Sequence, residues 1–137
     1  MEMKRLLSIG ALIIAVSCGV RLSKTVETAS GLKYTIIKKG NGKPAKVGDE
    51  VLIFETTSYR DGTVLYSNEN SGKPVKVKIG ANQATQAVDE GLRGMRTGEI
   101  RVLQASANLV KRTGYPANVS KDSALVIRMK LGKILTD

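Results

Sequence analysis

The chain has 137 residues, 42% of them apolar, and carries 22 Lys and Arg against 12 Asp and Glu for a net charge of +10, which fits one domain with a core and excludes a disordered segment. Histidine is absent and cysteine occurs once, so His-ligated metal centres, Ser/His/Asp triads, Cys/His dyads and an internal disulfide are excluded. Without Trp and with one Phe, the core must rest on Val, Ile, Leu and Met, and an aromatic-lined pocket is hard to furnish.

At the N-terminus, Lys4 and Arg5 precede a mostly apolar stretch from Leu6 to Val16, the pattern of a secretory signal. The stretch is shorter than the roughly 20 apolar residues that span a bilayer. It ends at Ala15-Val16-Ser17-Cys18-Gly19, with small residues before the lone cysteine. This resembles the bacterial lipobox, although Ala15 stands where Leu is commoner. Residues 1–17 are therefore expected to be a lipoprotein signal, Cys18 the acylated first residue after cleavage, 18–29 a tether and 30–137 the folded domain. The implied location is the bacterial cell envelope, lipid-anchored. Gly19, in place of the Asp that favours inner-membrane retention, points to the outer membrane.

Ordered structure is predicted to begin near Gly31. Leu32, Tyr34 and Ile36 alternate with Lys33 and Thr35 as in a half-buried strand, which Gly40-Asn41-Gly42-Lys43-Pro44 breaks. Val51 to Tyr59 is rich in β-branched and aromatic residues and closes at Asp61-Gly62. Val75, Val77 and Ile79 form a third alternating run. The period then changes: Gln83 to Met95 sets Val88, Leu92 and Met95 at helical spacing. Ile100 to Ala105 reads as a strand and Ser106 to Ser123 as a loop. A last strand places Leu125, Ile127, Met129 and Leu131 on one face and Val126, Arg128 and Lys130 on the other. This order predicts an α+β domain with a helix packed on an antiparallel sheet.

From about Thr28 to Leu135 the chain resembles the FKBP-type peptidyl-prolyl cis/trans isomerases. The resemblance is carried in order by Ser30-Gly31-Leu32-Lys33-Tyr34, the Gly40 to Pro44 turn, Val47-Gly48-Asp49-Glu50-Val51, Asp61-Gly62 and Gly72-Lys73-Pro74-Val75. It continues through Ile79-Gly80, Asp89-Glu90-Gly91-Leu92, Gly94-Met95, Gly98-Glu99 and Ala124-Leu125-Val126. It implies an antiparallel sheet wrapped over one short helix, proline-containing peptides or exported proteins as partners, and no cofactor or metal. Catalysis in the family uses a dry, aromatic-walled cleft that favours the twisted amide, together with a backbone donor beside the helix.

Carried onto this chain, the family's pocket Tyr falls at Glu55, its Phe-Asp pair at Leu65 and Tyr66, and its next Phe at Val75. The tract that ends in the floor Trp falls at Ala84, Thr85 and onward to Val88, the loop Tyr-Gly near Lys111 and Arg112, and the last-strand Phe at Ile127. Nearly every aromatic is missing, which implies a shallower, wetter or closed pocket and activity that is weak or lost. Thr85 retains the backbone donor, since an amide NH does not depend on its side chain. Tyr66 and Tyr115 either refill the cleft in part or stand as loop tyrosines. Glu55 and Lys111 either pair across the site or remain separate surface charges.

Three functions stay open: a prolyl isomerase of exported proteins, a non-catalytic peptide- or protein-binding module of the cell envelope, and a structural lipoprotein whose basic face meets anionic lipid or polymer. The Lys and Arg residues after the signal are scattered from Arg21 to Lys133 without interleaved aromatics, a solvated basic surface rather than a nucleic-acid interface.

Overall fold

The alternating runs pair into a single antiparallel sheet in the computed structural model, which describes residues 23–136. Its strands are β1 (Thr25–Glu27), β2 (Lys33–Lys38), β3 (Glu50–Tyr59), β4 (Val64–Ser67), β5 (Val75–Lys78), β6 (Ile100–Ala105) and β7 (Leu125–Ile134). The path is β1-β2-β6-β7-β3-β4, with β5 also paired to β3. One helix, α1 (Gln86–Leu92), and a 3-10 turn, Ala107–Val110, complete the regular structure of the described residues. The α+β architecture expected from the sequence is the one observed. The lipid-anchor residue Cys18 and the signal lie outside the described residues.

The register explains which side chains are inside. On β7, Leu125, Ile127, Met129 and Leu131 are buried while Lys130 is exposed, as the two-residue period dictates. They share the inner face with Val51 and Ile53 of β3 and Leu103 and Ala105 of β6. Near the end of β7 the pairing jumps from Ile53–Leu131 to Leu52–Lys133, so Gly132 is the extra residue of a bulge. A Cβ there would lie 3.2 Å from the Leu52 carbonyl oxygen and 3.3 Å from Phe54 Cε2.

Three elements differ from expectation. The sheet starts before Gly31: Thr25–Glu27 pairs with Lys33–Thr35 at the edge, and Thr25 and Thr35 join hydroxyls at 3.1 Å. The short edge strand Val64–Ser67 has too few inward residues to show a period. The helix is shorter than Gln83 to Met95 because Thr85 caps its start, its carbonyl and hydroxyl receiving the NH groups of Asp89 and Val88. Its end comes where Arg93 turns extended and Gly94 adopts φ 82°. Met95 is nonetheless fully buried, beyond the helix rather than on it.

Helix α1 buries Ala87, Val88, Gly91 and Leu92 against the sheet. A Cβ on Gly91 would fall 2.3 Å from Leu103 Cδ2 and 3.0 Å from Met129 Cε, so glycine is what lets the helix approach β6 and β7 this closely. Beneath its C-terminal end, Arg101 projects from the inner face of β6. Its Nη1 donates to the carbonyls of Gly91 (3.2 Å) and Arg93 (3.0 Å), its Nε to Glu99, and its guanidinium stacks 4.4 Å from the Tyr34 ring centroid. Arg101 and Glu99 are each only 4% exposed.

Candidate functional site

The outer edge of β3 is shared by two short strands: β5 pairs with Glu50 to Ile53 and β4 with Thr56 to Ser58. Between them, at Glu55, the sheet edge lacks a strand, and Asn68 takes its place. Its Oδ1 accepts from the Glu55 NH (2.7 Å), its own NH donates to the Glu55 carbonyl (3.1 Å), and its Nδ2 donates to the carbonyls of Ile53 (3.3 Å) and Lys73 (3.2 Å). This buried asparagine satisfies the backbone at the break. The Glu55 side chain is left on the inner face, two residues from Ile53 and two from Thr57.

A cavity of about 660 Å³ opens at this break. Its walls come from β3 (Ile53, Glu55, Thr57), β4 (Leu65, Tyr66), β5 (Val75, Val77), the segment entering α1 (Asn82 to Thr85, with Val88), the loop from Val110 to Val119, and β7 (Leu125, Ile127). The structure thus places Glu55, Leu65, Tyr66, Val75, Ala84, Thr85, Val88, Lys111 and Ile127 around one open space. Tyr115 does not line it; its hydroxyl accepts instead from the Arg112 NH at 3.4 Å. The loop is tied to the sheet by Tyr59, whose hydroxyl donates to the Asn118 carbonyl (2.8 Å) and accepts from the Ser120 NH (2.9 Å), and by Asn118 Nδ2 donating to the Leu65 carbonyl (3.2 Å).

Tyr66 is the single aromatic among the lining residues, and it is 45% exposed at the rim. At the helix start, no group among the described residues accepts the Thr85 NH, which leaves a backbone donor available to a ligand carbonyl.

Glu55 is neither an exposed charge nor paired with Lys111. Burial pushes its carboxyl above the usual glutamate range, and the nearby Arg112 guanidinium only partly counters this. Folding therefore strengthens proton binding at Glu55. Its contribution to stability is fully present below the ordinary glutamate value of about 4.3 and is lost as pH rises through the raised one. Glu55→Gln, a mimic of the protonated form, is expected to be more stable than the parent at neutral pH by on the order of 1 kcal/mol, the scale of a partly relieved desolvation penalty. The gap should close as the medium is acidified below the ordinary value. Urea unfolding at neutral and acid pH measures both; a neutral-pH loss would mean the carboxylate is held by a partner.

Asn68 is the site-shaping residue that sequence reasoning did not single out, since a lone Asn between two turns carries no periodic signal; Arg112, named only as a loop position beside Lys111, is the cation whose charge acts on Glu55.

An antiparallel sheet with one short helix, an open cleft beside the helix start and an unpaired amide there define a small α+β domain with a ligand-sized cleft. The family model described as FKBP-type peptidyl-prolyl cis-trans isomerase matches residues 41–132. FK506-binding protein 1 of Dictyostelium discoideum is 32% identical over 106 residues, 74% of this chain and 95% of that protein. The peptidyl-prolyl cis-trans isomerase Mip of Chlamydia trachomatis is 28% identical over 100 residues, 73% of this chain but only 40% of Mip. FkpA from Escherichia coli superimposes with a TM-score of 0.70 at 22% identity, over 80% of this chain and 51% of FkpA. AtFKBP13 gives 0.69 at 22% identity, over 81% and 98%. These two likenesses bear on the fold. The chain belongs to the FKBP-type peptidyl-prolyl cis-trans isomerase family.

Proposed function

We propose that this domain binds proline-containing segments of exported proteins in the cleft and isomerises them slowly, holding more than it turns over. The observation that carries the reading is the wall of the cleft: it is open and keeps the Thr85 donor, yet its one aromatic is the half-exposed Tyr66 and its inner wall carries the Glu55 carboxylate. The amide barrier is about 18–20 kcal/mol, and a wetter, more polar wall lowers it less than a dry aromatic one. The test is two-dimensional exchange NMR on a proline peptide with the protein added: pocket resonances should shift on binding, with little gain in cis/trans exchange. Binding with no gain at all favours the non-catalytic envelope module.

The same proposal tethers the domain to the cell envelope, with the outer membrane preferred. The apolar run is too short to span and ends at the lipobox-like Ala15-Val16-Ser17-Cys18, and acyl chains contribute about 0.8 kcal/mol per buried methylene, so two or three hold a protein where one does not. In a bacterial host, radiolabelled palmitate should be incorporated by the parent chain and not by Cys18→Ser. Labelling that survives the substitution rejects the anchor.

A further inference from the structure

We propose that the cleft selects proline-containing peptides that carry a basic side chain, Lys or Arg, beside the proline, and that the Glu55 carboxylate is the group that receives it; this rests on the peptide-binding reading above. Elsewhere in the fold most of the buried and half-buried carboxylates already have partners; Glu50, half-buried at the start of β3, has none among the described residues but does not line the cavity. Asp89 binds Arg93 (2.7 Å) and the Gly80 NH (2.7 Å), Asp49 the Lys46 NH (3.0 Å), and Glu99 and Glu69 pair with Arg101 and Arg128. Glu90, beside the second surface depression, accepts from Ser30 (2.6 Å), Thr28 (3.1 Å) and Gln86 (2.7 Å). Glu55 differs. Its backbone is satisfied by Asn68, but among the described residues its carboxylate has no hydrogen-bond donor and no cation within 4.0 Å. It is also the one carboxylate lining the cavity.

An unpartnered carboxylate in a ligand cleft is tolerable only while water reaches it. A bound peptide that fills the cleft expels that water. With an apolar residue beside the proline, Glu55 is then sealed in without a partner, a heavy penalty. An ammonium or guanidinium placed there instead forms a charge-assisted hydrogen bond. Selection therefore arises on binding, from what the wrong peptide leaves unpaired as much as from what the right one adds. Two cations, Lys111 and Arg112, stand at the mouth and oppose a basic ligand, but both are exposed. Solvent and salt screen them over about 8 Å at physiological ionic strength, whereas the Glu55 contact is made inside. Arg112, whose charge acts on Glu55, is the competitor.

Peptides Ala-Xaa-Pro-Xaa-Ala, with Xaa Lys, Leu or Glu, titrated into the purified full chain by NMR or calorimetry at physiological salt, decide the matter. The Lys peptide is expected to bind about tenfold more tightly than the Leu peptide, equivalent to about 1.4 kcal/mol, and the Glu peptide most weakly. In Glu55→Gln the Lys-to-Leu ratio should fall to about one, while in Arg112→Gln it should rise. Both variants are surface or cleft changes whose folding is checked by thermal unfolding. Leu binding as well as Lys in the parent, or a ratio unchanged in Glu55→Gln, overturns the proposal and leaves peptide binding intact. Preference for the Glu peptide overturns it in favour of Lys111 and Arg112 at the rim. Absence of binding by all three overturns the peptide-binding reading as well.

Discussion

Arg101→Met is expected to destabilise the domain by about 3–5 kcal/mol, the usual cost of removing one partner of a buried ion pair. For a domain of this size that lowers the thermal midpoint by more than about 12 °C. The arginine does three things at once: it neutralises the buried Glu99, it satisfies two carbonyls at the end of α1, and it covers the Tyr34 ring. Methionine fills much of the volume and keeps none of the donors. Glu99 would then be buried with only the Arg96 NH, 3.4 Å away, to stabilise its charge. The double substitution Glu99→Gln with Arg101→Met should recover part of the loss, because the stranded charge is gone while the carbonyls of Gly91 and Arg93 remain without a donor. Equal stability of the Arg101→Met variant and the parent in urea would show that the pair is solvated rather than buried.

This pair also marks where sequence reading stops. The two-residue period of Ile100 to Ala105 puts Arg101 on the same face as Leu103 and Ala105, so its burial was latent in the pattern. Its partners were not, because Glu99 and the end of α1 meet it only through the turn at Gly94 and Gly98. Long elements were legible: β7 and the helix face of Val88 and Leu92 show their period, and β3 its β-branched and aromatic composition. Thr25–Glu27 and Val64–Ser67 were not, since three or four residues at a sheet edge owe their conformation to the strand they pair with. The helix was over-extended for a related reason. Met95 keeps helical spacing with Leu92 and is fully buried, but it reaches the core from a turn.

The cleft was legible by a different route. Its positions came from resemblance, whereas the character of its wall came from the residues themselves: a carboxylate, aliphatics and cations where the family has aromatics. Sequence alone could not tell whether such a wall leaves an opening. The opening depends on the break between β4 and β5, and the break depends on Asn68 sealing the backbone of Ile53 and Glu55. Glu55 illustrates the point: expected at a pocket position, either paired with Lys111 across the site or as a separate surface charge, it sits on the inner face because β3 runs in register with β7, Glu55 opposite the fully buried Met129.

The parent protein is expected to accelerate X-Pro isomerisation at least about 100-fold less efficiently than an ordinary family member, and restoring the family's side chains should recover at least tenfold. Each factor of ten corresponds to about 1.4 kcal/mol of difference between binding the twisted and the planar amide. The aromatic walls supply that difference by drying the amide. Here Val88 stands at the floor, Tyr66 is half out in solvent, and Glu55 draws water inward. Val88 is only 7% exposed but lines the cavity, so the added volume of Val88→Trp must be directed into that space rather than into the core. Tyr66→Asp returns the acid, but beside Glu55 it would set two carboxylates in one cleft, each disfavouring ionisation of the other. Glu55→Tyr in the same chain removes that conflict and restores the wall. The triple variant should therefore exceed Val88→Trp with Tyr66→Asp, which should exceed the parent, in exchange NMR or a protease-coupled assay. A parent as fast as an ordinary relative refutes the argument from the wall. A folded triple variant no faster than the parent shifts the obstacle to the loop from Val110 to Val119, where the exposed cations Lys111 and Arg112 line the cleft.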